Sequence, residues 1–270
     1  AGTAKTTTLK MLAPELRRGQ VTPPRVLALA FNVRIVKELT EAMPQHFVVK
    51  TLNSIGHAAW GRQRGGRPEL DKDKLNPIVT NVLKDAGLAY SDEDRSTWSA
   101  VKGFANLMRR NSFVPKNAMG RGPRFSGPSP EEYVDEFILY EGVDIRPEVL
   151  LRLSEEVVFR SIEQAFARFI DFDDQIYMST TFFCQYDQFD VVLVDEAQDL
   201  SPQNHRQLML CKPRQLIAVG DPKQAIYAFR GADHQSMANL EDLAARQLSL
   251  NMKRLPLATR FPCPKVIVAR

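Results

Sequence analysis

The chain has 270 residues, 44% of them hydrophobic and 25% charged, a balance ordinary for a water-soluble globular protein. That length suffices for one large domain or two modest ones. Its apolar runs are far shorter than a bilayer requires, and the opening residues AGTAKTTTLKML carry no charged-then-apolar leader, so a cytosolic (cytoplasmic) protein with no membrane partner is expected. A net charge of +4 permits a polyanionic partner without requiring one. Cys184, Cys211 and Cys263 are odd in number and form no C-x-x-C pair, which argues against a disulfide scaffold or a zinc site and predicts buried free thiols. His46, His57, His205 and His234 show no metal-ligand spacing either.

In chain order, AGTAKTTTLKML reads as the end of a glycine-containing loop running into a helix. VTPPRVLALAF (21–31) is a turn and a buried strand, RIVKELTEAM (34–43) an amphipathic helix, and FVVKTLNSIGHAAW (47–60) a strand and a helix start. Strand alternating with helix predicts a parallel α/β sheet. From Gly61 the chain turns polar and Gly/Arg-rich, and helices are predicted at 75–87, 92–110, 130–141 and 147–170. The last has an apolar face of Val149, Leu150, Leu153, Val157, Val158, Ile162, Phe166 and Phe169. The stretch 102–130 holds Lys102, Arg109, Arg110, Lys116, Arg121 and Arg124 with no acid among them. It reads as a solvated basic surface, with duplex nucleic acid as the competing reading. The acids of DFDDQIY (171–177) are expected to cap a helix and face solvent. Strand pattern resumes at Phe189. The predicted organisation is an α/β domain of residues 1–60 and 171–270, interrupted by a mostly helical insertion over 61–170.

Three segments carry chemistry. A phosphate loop needs backbone N–H groups aimed at phosphates, a lysine, and a hydroxyl for Mg²⁺ at a helix N-terminus. Lys5 and Thr6 fill the last two roles and Gly2 gives flexibility, but the second glycine of G-x-x-x-x-G-K-[ST] falls at Ala4. On its residues alone the segment reads equally as a threonine-rich capped helix start. VVLVDEAQDL (191–200) is an apolar strand delivering adjacent acids, Asp195 suited to Mg²⁺ and Glu196 to orienting and deprotonating a water. GDPKQAIYAFRGAD (220–233) places Gln224 within reach of a γ-phosphate. Its Tyr227, Phe229 and Arg230 suit unstacked bases, against a competing reading as core aromatics.

Together, AGTAKTTT, VLALAFNVRIVKEL, VKTLNSIGHAAW, DFDDQIY, VVLVDEAQD and GDPKQAIYAFRGAD resemble, in order, the first motor domain of superfamily-1 DNA helicases of the UvrD/Rep/PcrA type. The resemblance implies a RecA-like P-loop NTPase fold with an inserted helical subdomain, ATP and Mg²⁺ as cofactors, and single-stranded DNA and duplex junctions as partners. It implies nucleotide binding by Gly2, Thr3, Ala4, Lys5, Thr6 and Thr7, with Thr6 and Asp195 on the metal, Glu196 as general base and Gln224 as γ-phosphate sensor. It implies single-strand contacts from Phe31, Asn32, Thr51, Asn53, Ser54, His57, Tyr227, Phe229 and Arg230. The implied activity is ATP-driven 3′→5′ translocation and unwinding. The motor part of a helicase–nuclease and a catalytically impaired nucleic-acid-binding remnant are the alternatives.

Departures from the pattern are local. Ala4 stands at a glycine position. In LPLATRFPCPKVIVAR (255–270) Pro262 occupies the place of the family's γ-phosphate arginine, leaving Arg260 and Arg254 as candidates. The strand before the loop, an adenine-recognising glutamine and the second motor domain have no counterpart in these residues. The expectation is therefore a first-motor-domain fragment with weak or no activity of its own.

Overall fold

A computed structural model describes residues 5–16, 22–30, 32–88, 95–221 and 235–255, with backbone only at 5, 6, 13 and 14. In chain order its main elements are α1 (Lys5–Glu15), β1 (Val26–Ala30), α2 (Val33–Ala42), β2 (Val48–Thr51), α3 (Leu52–Gln63) and β3 (Glu69–Leu70). Next come α4 (Leu75–Asp85), α5 (Arg95–Arg110), α6 (Val134–Glu141), α7 (Pro147–Phe166), β4 (Phe169–Ile170) and α8 (Phe172–Thr181). The chain continues through β5 (Val191–Val194), α9 (Pro202–Leu210), β6 (Gln215–Ala218) and α10 (Ser236–Leu248). It divides into two compact units, Ala1–Leu52 with Asp187–Arg270, and Asn53–Tyr186.

The first unit is built on a four-stranded sheet of order β2-β1-β5-β6, parallel at every pairing. Val-Leu-Ala-Leu-Ala in β1 and Val-Val-Leu-Val in β5 are buried along their whole length, as strands of a parallel sheet covered on both faces must be. Leu9 of α1, Leu39 of α2, Val26, Ala28 and Ala30 of β1 and Leu193 of β5 form one apolar core with Met43, Phe47, Val191 and Val219. Caps fix the helix starts. Asn32 Oδ1 accepts from the Ile35 N–H at 2.9 Å to open α2. Ser201 and Asn204 exchange side-chain and backbone hydrogen bonds to open α9, with Pro202 at its first position. Cys211 is buried here and its thiol is pushed up to about 12, chiefly by burial and then by Asp187.

The second unit is a helical bundle in which α5, α7, α4 and α8 pack together. Leu150, Leu153, Val157, Val158 and Ile162 of α7 are all buried, as the helical spacing predicts. Phe169 instead falls in β4, which pairs in parallel with β3, and is 45% exposed. Two-residue strands carry no periodicity by which sequence could announce them. Trp60 packs edge-on against Phe166 with centroids 5.2 Å apart, and its indole N–H donates to the Ala165 carbonyl at 3.2 Å. Cys184 is buried in this unit, its thiol likewise pushed up to about 12 by burial.

The division falls earlier in α3 and later than α8, whereas the sequence patterning suggested breaks after residues 60 and 170. The reason is a close helix pair. A Cβ on Gly56 of α3 would collide with the Gln175 carbonyl of α8. Only glycine allows that approach. Asn53 Nδ2 also donates to the Phe172 carbonyl at 2.8 Å.

Two surface expectations are corrected. Asp171 and Asp174 do cap α8 reciprocally, at 2.8 and 3.1 Å, but they do not face solvent. Asp174 is fully buried, Asp171 nearly so, and both meet cations: Arg109 reaches Asp174 at 2.7 Å and Asp171 at 2.8 Å, while the Lys74 ammonium pairs with Asp174. The basic stretch 102–130 is solvated only in part: Lys116, Arg121 and Arg124 are exposed, but several of its bases are paired. Arg109 is buried in α5, Arg110 pairs with Asp173, Arg121 pairs with Glu163, and Lys102 donates to Asn76 Oδ1 at 2.7 Å. The compensating acids come from α7 and α8, distant in sequence but adjacent in the packed bundle.

Candidate active site at the strand ends

Because all strands of the first unit are parallel, their C-terminal ends lie along one sheet edge, where ligands of open α/β sheets bind. At that edge β5 stops at Val194 and the next residues are stitched to both neighbours. The Asp195 N–H donates to the Leu29 carbonyl at 3.1 Å, and the Ala197 N–H to the Val219 carbonyl at 2.9 Å. Glu196 between them has φ 52°, ψ 45°, a left-handed conformation that costs a non-glycine residue roughly 1 kcal/mol or more. The tight 3-10 turn Ala197–Asp199 follows.

Hydrogen bonds from neutral amides are part of what holds this turn. The Glu196 N–H donates to Asp195 Oδ1 at 3.0 Å. Gln198 Nε2 donates to Glu196 Oε2 at 2.8 Å and to Asp199 Oδ2 at 3.3 Å. Gln198 Oε1 accepts from the Asp221 N–H at 3.0 Å, joining the end of β5 to the residues that follow β6. A Cβ on Gly220 would stand 2.7 Å from that same oxygen, so the glycine makes room for the amide bridge. Asp195 and Gln198 are buried while Glu196 is half-buried, which suits one acid to anchoring and the other to meeting a mobile reactant.

The remaining expected residues are distributed as follows. Lys5 and Thr6 open α1, whose first turn presents backbone N–H groups without intrahelical partners, and Thr7 is exposed. Thr51 ends β2 opposite Ala30 of β1. Asn32 serves as the cap of α2. Asn53, Ser54 and His57 lie on α3 in the helical unit, where Asn53 bonds Phe172 and His57 Nδ1 lies 3.3 Å from Gln175 Nε2. Burial, and secondarily Arg67, lowers the His57 pKa below its ordinary value. Gly2, Thr3, Ala4, Phe31, Gln224, Tyr227, Phe229, Arg230 and Arg260 lie outside the described residues.

Among the described residues no group of three or more His, Cys, Asp or Glu is gathered to hold a metal. Asp195 offers a single hard oxygen donor group at the sheet edge. That fits Mg²⁺, which keeps waters and phosphate oxygens in its shell and needs only one or two protein ligands. Gln198 was not singled out from sequence. Its only signal was chemical, an amide able to donate and accept at once, set between two acids.

A parallel sheet with acids at adjacent strand ends, and a helix opening at Lys-Thr, defines a nucleotide-binding α/β domain of the RecA-like P-loop class. The model of the UvrD/REP helicase N-terminal domain matches residues 1–245, and the chain belongs to that family. It is 25% identical to a probable DNA helicase II homolog of Mycoplasma capricolum over 93% of this chain and 35% of that protein. It is 24% identical to the ATP-dependent DNA helicase PcrA of Staphylococcus epidermidis over 90% of this chain and 33% of that one. A shorter match, 50% identical over 50 residues, is to the RecBCD enzyme subunit RecB of Escherichia coli, covering 17% of this chain and 4% of RecB. The chain thus spans about a third of the length of its long matches. No helix among the described residues is long and apolar enough to cross a membrane.

Proposed function

We propose that this chain is the nucleotide-binding motor domain of an ATP-dependent DNA helicase that moves 3′→5′ along single-stranded DNA. The observation that carries this reading is the acid turn: Asp195 and Glu196 at the end of β5, bridged by Gln198 to the residues after β6. In this reading Lys5 and the first-turn amides of α1 bind the β- and γ-phosphates, and Thr6 and Asp195 hold Mg²⁺. The ion, when bound, offsets charge on the phosphate oxygens. Glu196 takes the proton of the attacking water as it approaches the γ-phosphorus in line, and Gln224 senses whether that phosphate is present. Tyr227, Phe229 and Arg230, with Phe31, Asn32, Thr51, Asn53, Ser54 and His57, form the single-strand path. The 3′→5′ direction rests on family resemblance, as does the contact with duplex junctions.

DNA-stimulated ATP hydrolysis is the test. Glu196→Gln keeps the shape and hydrogen-bonding reach of the side chain but removes the base, and should lower turnover roughly 10²- to 10⁴-fold with Mg²⁺–ATP binding retained. Equal turnover in the two proteins would remove Glu196 from the mechanism.

A further inference from the structure

Asp221 lies three residues past the end of β6 and Ser236 opens α10, and both are fastened to the acid turn. At the first, the Asp221 N–H donates to Gln198 Oε1 at 3.0 Å. At the second, Ser236 Oγ donates to the Ala197 carbonyl at 2.7 Å, and His205 Nε2 of α9 lies 2.9 Å from the same hydroxyl. A hydroxyl has one proton to give. With that proton on the Ala197 carbonyl, Ser236 accepts from His205, which assigns the proton of the imidazole to Nε2. Ser236 and His205 are 2% and 1% exposed, so this chain of hydrogen bonds is shielded from water.

Two fastenings constrain more than one. With a fastening at Gln198 alone, only the Asp221 end would follow a shift of the turn, and the Ser236 end would not. Held also through Ser236, both ends must follow any displacement of Glu196, Ala197 and Gln198. Such a displacement has a chemical cause: Glu196 Oε2 accepts from Gln198 Nε2, and a Glu196 that turns to accept from a water held beside a bound nucleotide draws on the carboxylate that this bond also uses. We propose that Ser236, oriented by His205, is a positioning residue that couples nucleotide occupancy at the acid turn to single-strand affinity. This rests on the function proposed above. Ser236 touches neither ligand. It acts through the backbone of Ala197.

The coupling is measurable as the ratio of Kd values for a fluorescent oligothymidylate with and without a non-hydrolysable Mg²⁺–ATP analogue, read by anisotropy. Couplings of this kind commonly amount to about 5- to 150-fold. Ser236→Ala should bring the ratio close to one while the Kd for the analogue alone stays within about twofold of wild type. Ser236→Thr, which keeps the hydroxyl, should retain the ratio. His205→Phe, similar in size but without the donor, should reproduce the loss and serves where Ser236→Ala lowers the melting temperature substantially. A wild-type ratio preserved in Ser236→Ala and His205→Phe overturns the inference and leaves the proposed function standing, as does a ratio of one in a wild-type protein that binds both ligands. A wild-type protein that binds neither removes both.

Discussion

In the helical unit Asp171 and Asp174 are buried against Arg109 and Lys74, each cation only 1% exposed, whereas in the α/β unit the buried Asp195 and half-buried Glu196 take hydrogen bonds from a backbone N–H and from the Gln198 amide. Titration behaviour follows the first arrangement. Burial would raise Asp171, but Arg109 outweighs it through charge and hydrogen bonding and holds that carboxyl below the usual range. Burial prevails at Asp174, raising it, and at Lys74, lowering it despite the attraction of Asp174. Arg109 is raised, the pull of Asp171, Asp174 and Asp173 exceeding the opposing effect of burial. Such a cluster is committed to structure, since removing one ion leaves the others buried and uncompensated. A carboxylate turn held in part by neutral amides can exchange those bonds for a metal-bound water or a reactant at far smaller cost. Burial of acids is therefore a poor guide to function in this chain. The identity of their partners discriminates better.

The largest expected effect breaks the structural side of that contrast. Arg109→Ala strips Asp171 and Asp174 of their shared partner and should destabilise the helical unit by about 3–5 kcal/mol. Trp60 and Trp98 are the chain's two tryptophans and both lie in this unit, so urea denaturation followed by tryptophan fluorescence reports on it directly. A loss below about 1 kcal/mol would mean that the cluster is far better hydrated than its burial indicates.

Next in size is Gly56→Ala. The added Cβ would collide with the Gln175 carbonyl and stand 2.9 Å from Ser179 Oγ, and backbone cannot yield as a flexible side chain can. The expected cost is about 1–3 kcal/mol by the same fluorescence assay, from the forced separation of α3 and α8. Stability unchanged within error would show that α3 is not locked to α8 and would reopen where the helical unit begins.

The sheet and the acid turn were legible because their signals are local. Val-Leu-Ala-Leu-Ala and Val-Val-Leu-Val are recognisable as buried parallel strands within five residues, and Asp195-Glu196 follows one of them directly. The Lys74–Asp174–Arg109–Asp171 cluster was not legible, since its partners are up to 100 positions apart and only helix packing brings them together. The same distance hid the fates of Asn53 and His57, whose side-chain partners on α8 lie more than 110 residues downstream. Gly56 gave no sign because a close approach is a property of two helices, while sequence displays one at a time. Ser236 and His205 carried no motif at all. Their role depends on the Ala197 carbonyl, which has no side-chain signature.

The smallest effect sharpens the contrast at its edge, at a group caught between structure and proposed DNA contact. His57 has its pKa lowered by burial and then by Arg67, and its Nδ1 faces Gln175 Nε2 at 3.3 Å. With Gln175 donating, the ring is neutral with its proton on Nε2. Its folded pKa lies below the unfolded value of about 6.5, so on acidification the unfolded chain takes up the proton first. Stability from this group is present above about pH 6.5 and declines as pH falls toward the folded pKa, below which the loss levels off. The ring is only partly buried, so solvent screening keeps the loss small. His57→Gln should therefore narrow the gap between melting temperatures measured at about pH 8 and about pH 5.5, relative to wild type. An unchanged gap would place the ring in water and return His57 to the group of residues free to meet a nucleic-acid strand.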